Sequence, residues 1–79
     1  MGGITMTLNQ LAPGRESIVI KIETDESLRQ RLADFGMVPG TLVCTRFRSP
    51  GGGMTAISLR GSVIALRTKD LERIRVCPV

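Results

Sequence analysis

Residues Asp25–Gly40, DESLRQRLADFGMVPG, read as one short amphipathic helix that stops at a glycine and leaves through a tight Pro-Gly turn into a strand. Leu28, Leu32 and Phe35 recur at i, i+4 and i+7 and so share one face, while Arg29, Gln30 and Asp34 point elsewhere. That face needs a sheet to lie on. Asp25 and Glu26 put negative charge where first-turn amides lack partners, and Thr24 or Asp25 serves as the side-chain cap. Gly36 fits the left-handed position just past the helix, so Schellman geometry brings Met37 against Leu32. Pro39-Gly40 then suits a type II turn, because proline presets the first corner and glycine accepts the positive φ of the second.

Upstream of the helix, Met6–Leu11 reads as a short strand or extended segment ahead of the Pro13-Gly14 turn. Ser17–Ile22, SIVIKI, is a β-branched strand in which Ile18, Ile20 and Ile22 share one face and Val19 and Lys21 the other. Downstream, Thr41–Arg48 alternates again. The expectation is Val43 and Phe47 inward and Arg46 and Arg48 outward, with Leu42 and Cys44 partly covered by the helix or the terminal segment. Ser49–Gly53, SPGGG, is a mobile hairpin loop; it is not a phosphate cradle, since no Lys-Ser/Thr follows and the next segment is a strand.

Met54–Leu66 carries two alternating runs about Gly61. A Gly61-Ser62 type II′ turn would set Leu59 opposite Ile64 and Ile57 opposite Leu66, with Thr55 also on the core side and Arg60 and Arg67 outside. Thr68–Glu72 reads as a single helical turn capped by Thr68 with Leu71 pinned to the core, and Ile74 and Val76 mark a last strand ended by Pro78. Five or six short strands, one helix inserted between the second and third, and a helical turn before the last strand give a mainly β chain. A small, partly open barrel accommodates that order better than a flat sheet.

The chain has 79 residues, enough for one domain, so nearly every large aliphatic side chain is needed in the core. Residues 1–5 read as a flexible N-terminal lead and residues 6–77 as the single domain. No apolar run approaches the length of a bilayer span and MGGITM lacks a secretion signal, which points to a cytoplasmic protein. Cys44 and Cys77 are too few and too distant for a zinc pattern, and read as a buried strand residue and a near-terminal one; without His, no metal site and no cofactor is expected. The net charge of +4, with nine of the eleven positive residues arginine, permits nucleic acid, anionic lipid or an acidic protein face without choosing among them.

One series of residues is specific enough to place the chain. Leu28, Leu32, Phe35-Gly36-Met37, Pro39-Gly40, then Pro50-Gly51, then Ile57-x-Leu59-Arg60-Gly61-x-x-Ile64-Ala65-Leu66-Arg67 resembles the FeoA domain. The resemblance runs from Leu8 to Val76 and implies an SH3-like β-barrel. It also implies a cytosolic accessory protein of bacterial ferrous iron uptake that acts on the permease FeoB, which carries a GTPase domain. Phe35 and Met37 stand where that family more often has leucine or isoleucine, and Thr55 where a larger aliphatic is usual. Related barrels end iron-dependent repressors of the DtxR type, but the chain lacks their helix-turn-helix and metal-binding domains. Transition-metal binding is implied at the level of the family alone.

Catalysis is disfavoured: no His is present to activate the Ser residues, and Asp25 and Glu26 are explained by the helix start. A nucleic-acid-binding barrel is the rival reading, with Arg46, Arg48, Arg60 and Arg67 as a positive stripe. It is disfavoured because both Phe residues are expected to be buried, leaving no stacking platform. The preferred reading is an interaction module without a small-molecule substrate, reaching a membrane only through the permease; self-association stays open. Its expected groove runs between Met37–Pro39 and Ser49–Met54, with Met37 and Met54 as an apolar floor, Arg46 and Arg48 as a charged rim, and Val38 and Pro39 as further partner-binding residues. Met37 serves equally well as a helix-end packing residue. Gly36, Gly40 and Gly61 are assigned to structural turns.

Overall fold

The computed structural model describes residues 4–79, so residues 1–3 of the expected N-terminal lead lie outside the described residues. The chain forms β1 (Met6–Thr7), a 3-10 turn (Leu8–Gln10), β2 (Glu16–Ile22), α1 (Glu26–Asp34), β3 (Leu42–Arg48), β4 (Met54–Leu59) and β5 (Ser62–Arg67). A second 3-10 turn (Thr68–Arg73) and β6 (Ile74–Pro78) complete it. All strand pairs are antiparallel in one six-stranded sheet of order β1-β6-β2-β3-β4-β5. Laid flat, six strands would span about 24 Å between the outermost two. Yet Val19 of β2, Val43 of β3, Ile57 of β4, Leu66 of β5 and Val76 of β6 belong to one buried cluster, so the sheet curls around them as a partly open barrel.

The helix begins and ends as its residues dictate. Asp25 caps it, its Oδ1 accepting from the Leu28 amide at 2.8 Å, and Glu26 occupies the first turn beside the positive end of the helix dipole. At the other end the Gly36 amide donates to the Ala33 carbonyl at 2.9 Å and the Met37 amide to the Leu32 carbonyl at 2.9 Å, the paired bonds of a Schellman stop with Gly36 at φ +96°. Pro39-Gly40 follows as a type II turn closed by the Thr41 amide on the Val38 carbonyl at 3.0 Å, with Gly40 at φ +96°. Thr41 is buried and ties the exit together: its Oγ1 donates to the Gly36 carbonyl at 2.9 Å and accepts from the Val38 amide at 3.2 Å. Gly40 and Thr41 also exchange backbone bonds with Val19, which fixes the turn to β2.

The expected apolar face of α1 is only partly used. Leu32 is buried and Leu28 packs against the core, but Phe35 is 52% exposed. Taking Leu32 as the centre of the buried face, Phe35 lies about 60° to one side, on the flank shared with Leu28 and Arg31. Met37, turned back by the Schellman stop and 0% exposed, fills the place expected of Phe35.

Two bulges revise the strand faces. In β2 the ladder to β6 slips between Val19 and Lys21, so Val19 and Ile22 both face inward and Ile20, expected to share a face with Ile22, is exposed. In β3 the ladder to β4 slips between Thr45 and Phe47, so Thr45 opposes Ile57 inside the barrel while Phe47 opposes Ala56 on the outer face. Phe47 is therefore not a core residue but 63% exposed, and Leu42, expected to be partly covered, is exposed as well.

The β4–β5 hairpin turns on Arg60-Gly61 rather than Gly61-Ser62. Both central residues have positive φ, +48° and +82°, the requirement of a type I′ turn whose twist matches that of the strands. Leu59 thus faces Ser62, Ile57 faces Ile64 and Thr55 faces Leu66. A register displaced by two residues leaves the inward set unchanged. The Ser49–Gly53 loop is closed by the Ser49 amide on the Met54 carbonyl at 2.8 Å and the Met54 amide on Ser49 Oγ at 3.0 Å. Thr68 is inside the second 3-10 turn, not its cap, and its Oγ1 shares a hydrogen bond of 2.8 Å with Thr55 Oγ1; Leu71 is fully buried as expected.

Candidate functional site

The residues proposed for a groove do not converge. Met37 is sealed in the core. Val38 and Pro39 are exposed, but they share a hollow with Thr41, Leu42 and Arg60, at the turn end of the β4–β5 hairpin. Met54 stands at the opposite end of that hairpin, opposite Arg67. Five residues of extended chain, about 17 Å, separate the two ends of β4. Of the expected rim, Arg48 reaches back to the Asn9 carbonyl, and Arg46 lies at the β3 bulge.

The positive stripe is dispersed for the same reason. Arg60 is at the hairpin tip and Arg67 at the far end of β5, where Asp70 Oδ2 approaches its Nε at 3.7 Å. The aliphatic part of Arg60 folds over Gly36: a Cβ added there would stand 2.6 Å from Arg60 Cδ and would push that flexible side chain aside, while the φ of +96° is what calls for glycine.

What the fold does bring together is apolar and outward-facing. Cross-strand rows run Phe47–Ala56–Ala65 and Cys44–Ser58–Val63 over β3, β4 and β5, with Met54 beside the first row. Val63 is 62% exposed and Met54 39%; Cys44 is half-buried, partly covered as expected, and its thiol is free. Phe47, Ser49, Met54, Ala56, Val63 and Ala65 border a shallow hollow of about 340 Å³ on this face. A second hollow, of about 380 Å³, lies between Ser27, Leu28 and Arg31 of α1 and Ala65, Leu66 and Arg67 of β5, and Met54 and the carboxylates of Asp25 and Asp70 border it too. Of the expected floor and rim, Met54 alone takes part in this surface. Phe47 escaped the sequence reading because strict alternation sends it inward, and only the bulge at Arg46 reverses it; Val63 needs no bulge, since alternation with Ile64 and Leu66 already turns it outward.

No group of three or more His, Cys, Asp or Glu side chains able to hold a metal occurs among the described residues. No described helix is long and apolar enough to cross a membrane. Arg31, Arg46 and Arg60 make no ion pair among the described residues, and Asp25, Asp70 and Glu16 lie in the same hollows, so the apolar face is bordered by charge of both signs.

Comparison with known proteins agrees over nearly the whole chain. The model of the FeoA domain family matches residues 6–78. A protein of Campylobacter jejuni assigned as Fe(2+) transport protein A is 27% identical over 71 residues, covering 90% of this chain and 96% of its own length. The solution structure of the FeoA protein from Chlorobium tepidum superposes with a TM-score of 0.91 at 26% identity, covering 94% of this chain and 70% of that one. The crystal structure of an iron uptake regulatory protein (FeoA) gives a TM-score of 0.84 at 26% identity, covering 96% of this chain and 100% of that one.

Proposed function

The chain belongs to the FeoA domain family, whose members serve ferrous iron transport, and from that premise we propose that it is a non-enzymatic cytosolic accessory protein that binds the cytosolic part of an FeoB-type permease and modulates its transport or GTPase cycle. The observation that carries this reading is the span of the family match: residues 6–78 include every strand and helix, so the kinship concerns the whole fold rather than a shared motif. The ferrous ion is the permease's cargo, and this chain contributes shape and charge. An open apolar face with arginines around it suits a protein partner, which buries apolar area at the centre and meets charge at the rim.

Pull-down with the cytosolic domain of the cognate permease, together with its GTPase rate, tests the reading. Wild-type protein is expected to be captured and to change the GTP hydrolysis rate, and Met54→Asp to weaken capture about tenfold by placing a carboxylate in the apolar face. Absence of capture by full-length permease, with an unaltered GTPase rate, would discard the partner. The exposed Phe35 and Phe47 give the nucleic-acid reading a foothold that the sequence withheld, but they stand on different elements and no arginine stripe joins them. Filter binding at low salt is expected to show no salt-sensitive affinity for RNA or DNA; tight binding that falls steeply with added salt would reverse the order of the two readings.

A further inference from the structure

β5 is an edge strand along its whole length, and its free side faces a helix. Ser62, the first residue after the two-residue turn, opposes Leu59, so Ser62, Ile64 and Leu66 direct their backbone groups toward β4. Val63 and Ala65 direct theirs away, and neither has a backbone or side-chain hydrogen-bond partner among the described residues. Both residues are exposed. Beyond this edge lies the flank of α1 that carries Leu28, Arg31 and the unexplained, half-exposed Phe35, with the 380 Å³ hollow between strand and helix. On the outer face beside Val63 and Ala65 is the apolar hollow walled by Phe47 and Met54.

An edge with unpaired donors and acceptors, a helix alongside it and an apolar hollow one strand away is the set of features that receives an added strand. From these features we infer that β5 binds an extended segment of a partner protein, apolar at alternate positions and flanked by carboxylates, which pairs with Val63 and Ala65 between β5 and α1. Alternate side chains of the added strand project to the two faces, so one set drops toward the Phe47–Met54 hollow. The acidic flanks follow from the net charge of +4: Arg31 beside the edge and Arg60 at its turn end make no ion pair among the described residues, and the carboxylates of Asp25, Asp70 and Glu16 that line the neighbouring hollows leave the balance of the chain positive. The assignment deepens the permease reading by naming the surface and the form of the bound segment, and rests on it only for the identity of the partner.

Backbone hydrogen exchange at Val63 and Ala65 tests it, with two probes: the cytosolic domain of the cognate permease, and a short peptide alternating valine and glutamate. Either probe at saturation is expected to slow exchange of both amides at least about tenfold. Val63→Pro removes a free donor without touching a β4–β5 bond, since proline is tolerated where an edge-strand amide faces solvent, and is expected to weaken binding about tenfold. If that variant loses its native spectrum, Ala65→Asp tests the same edge through the side chain. Lys21→Ala, on β2, is expected to bind as wild type.

The outcomes separate. Permease binding with unchanged exchange at Val63 and Ala65 overturns the edge site and leaves the permease reading intact. Protection by the peptide alone upholds the site and removes the permease as its partner. Protection that grows with protein concentration and needs no probe assigns the edge to a second copy and overturns the inference. So does the absence of protection under every condition.

Discussion

The exit of α1 and the outer face of β3–β5 are built on opposite terms. From Phe35 to Thr41 every backbone amide has a named partner, Met37 is wholly enclosed, and even a threonine hydroxyl is used twice. Across β3–β5, Phe47 and Val63 remain in solvent, and the edge amides of Val63 and Ala65 are unpaired among the described residues. The first region holds the barrel shut, and its residues are chosen by the fold. The second adds little to the fold, because the apolar area it exposes stays exposed after folding. Residues so placed are free to be chosen by a partner.

The contrast is tested most sharply at Met37. Met37→Ala is expected to cost about 3 kcal/mol, the usual range for emptying a buried long side chain, and Met37→Leu less than about 1.5 kcal/mol. Urea denaturation of both variants decides it. A small cost for alanine would return Met37 to the surface groove expected from the sequence.

Gly36→Ala comes next, at about 2 kcal/mol. The left-handed φ of Gly36 contributes most of it, about 1 to 2 kcal/mol, and displacement of the flexible Arg60 side chain a smaller part. Paired with Arg60→Ala, the double variant should recover the second part only. Full additivity would mean that Arg60 moves aside at no cost, leaving the hairpin tip and the helix end independent.

These two positions also show what the sequence made legible. Helix stop, type II turn and the inward set of β4 and β5 were all readable, because each rests on residues whose backbone needs are strict: Gly36, Gly40, and alternation anchored at Ile57 and Leu59. The bulges at Ile20 and Arg46 were not. A bulge adds one residue to one strand of a pair, so its signal lies in the pairing and not in either strand's own pattern. Each bulge displaced an apolar side chain from its expected face, and the one at Arg46 moved Phe47 from the core to the candidate site. The site was thus hidden where the fold departs from strict alternation.

A smaller effect, of opposite sign, is expected inside the barrel. Ser17 Oγ and Thr45 Oγ1 are buried with no hydrogen-bond partner among the described residues. Thr45→Val keeps the shape and removes the unpartnered hydroxyl, so thermal unfolding is expected to show a gain of about 1 kcal/mol. A loss instead would mean that the hydroxyl holds an ordered water in the barrel, and the interior would then be less sparing of polar groups than the helix exit suggests.

The smallest effect separates the two regions most directly. Phe47→Ser exchanges a large aromatic for a small hydroxyl at a position 63% exposed, and its change in stability is expected to stay within about 0.5 kcal/mol. Substitution of an aromatic residue that packs in a core costs about 3 to 5 kcal/mol, so the measurement has a wide margin. Near-neutral stability combined with lost capture by the permease domain would place Phe47 in a contact surface and nowhere in the folding of the barrel. A cost above about 1 kcal/mol would instead make Phe47 a lid over Ala56 and Ala65 that the sheet needs, and the two regions would then differ in degree and not in kind.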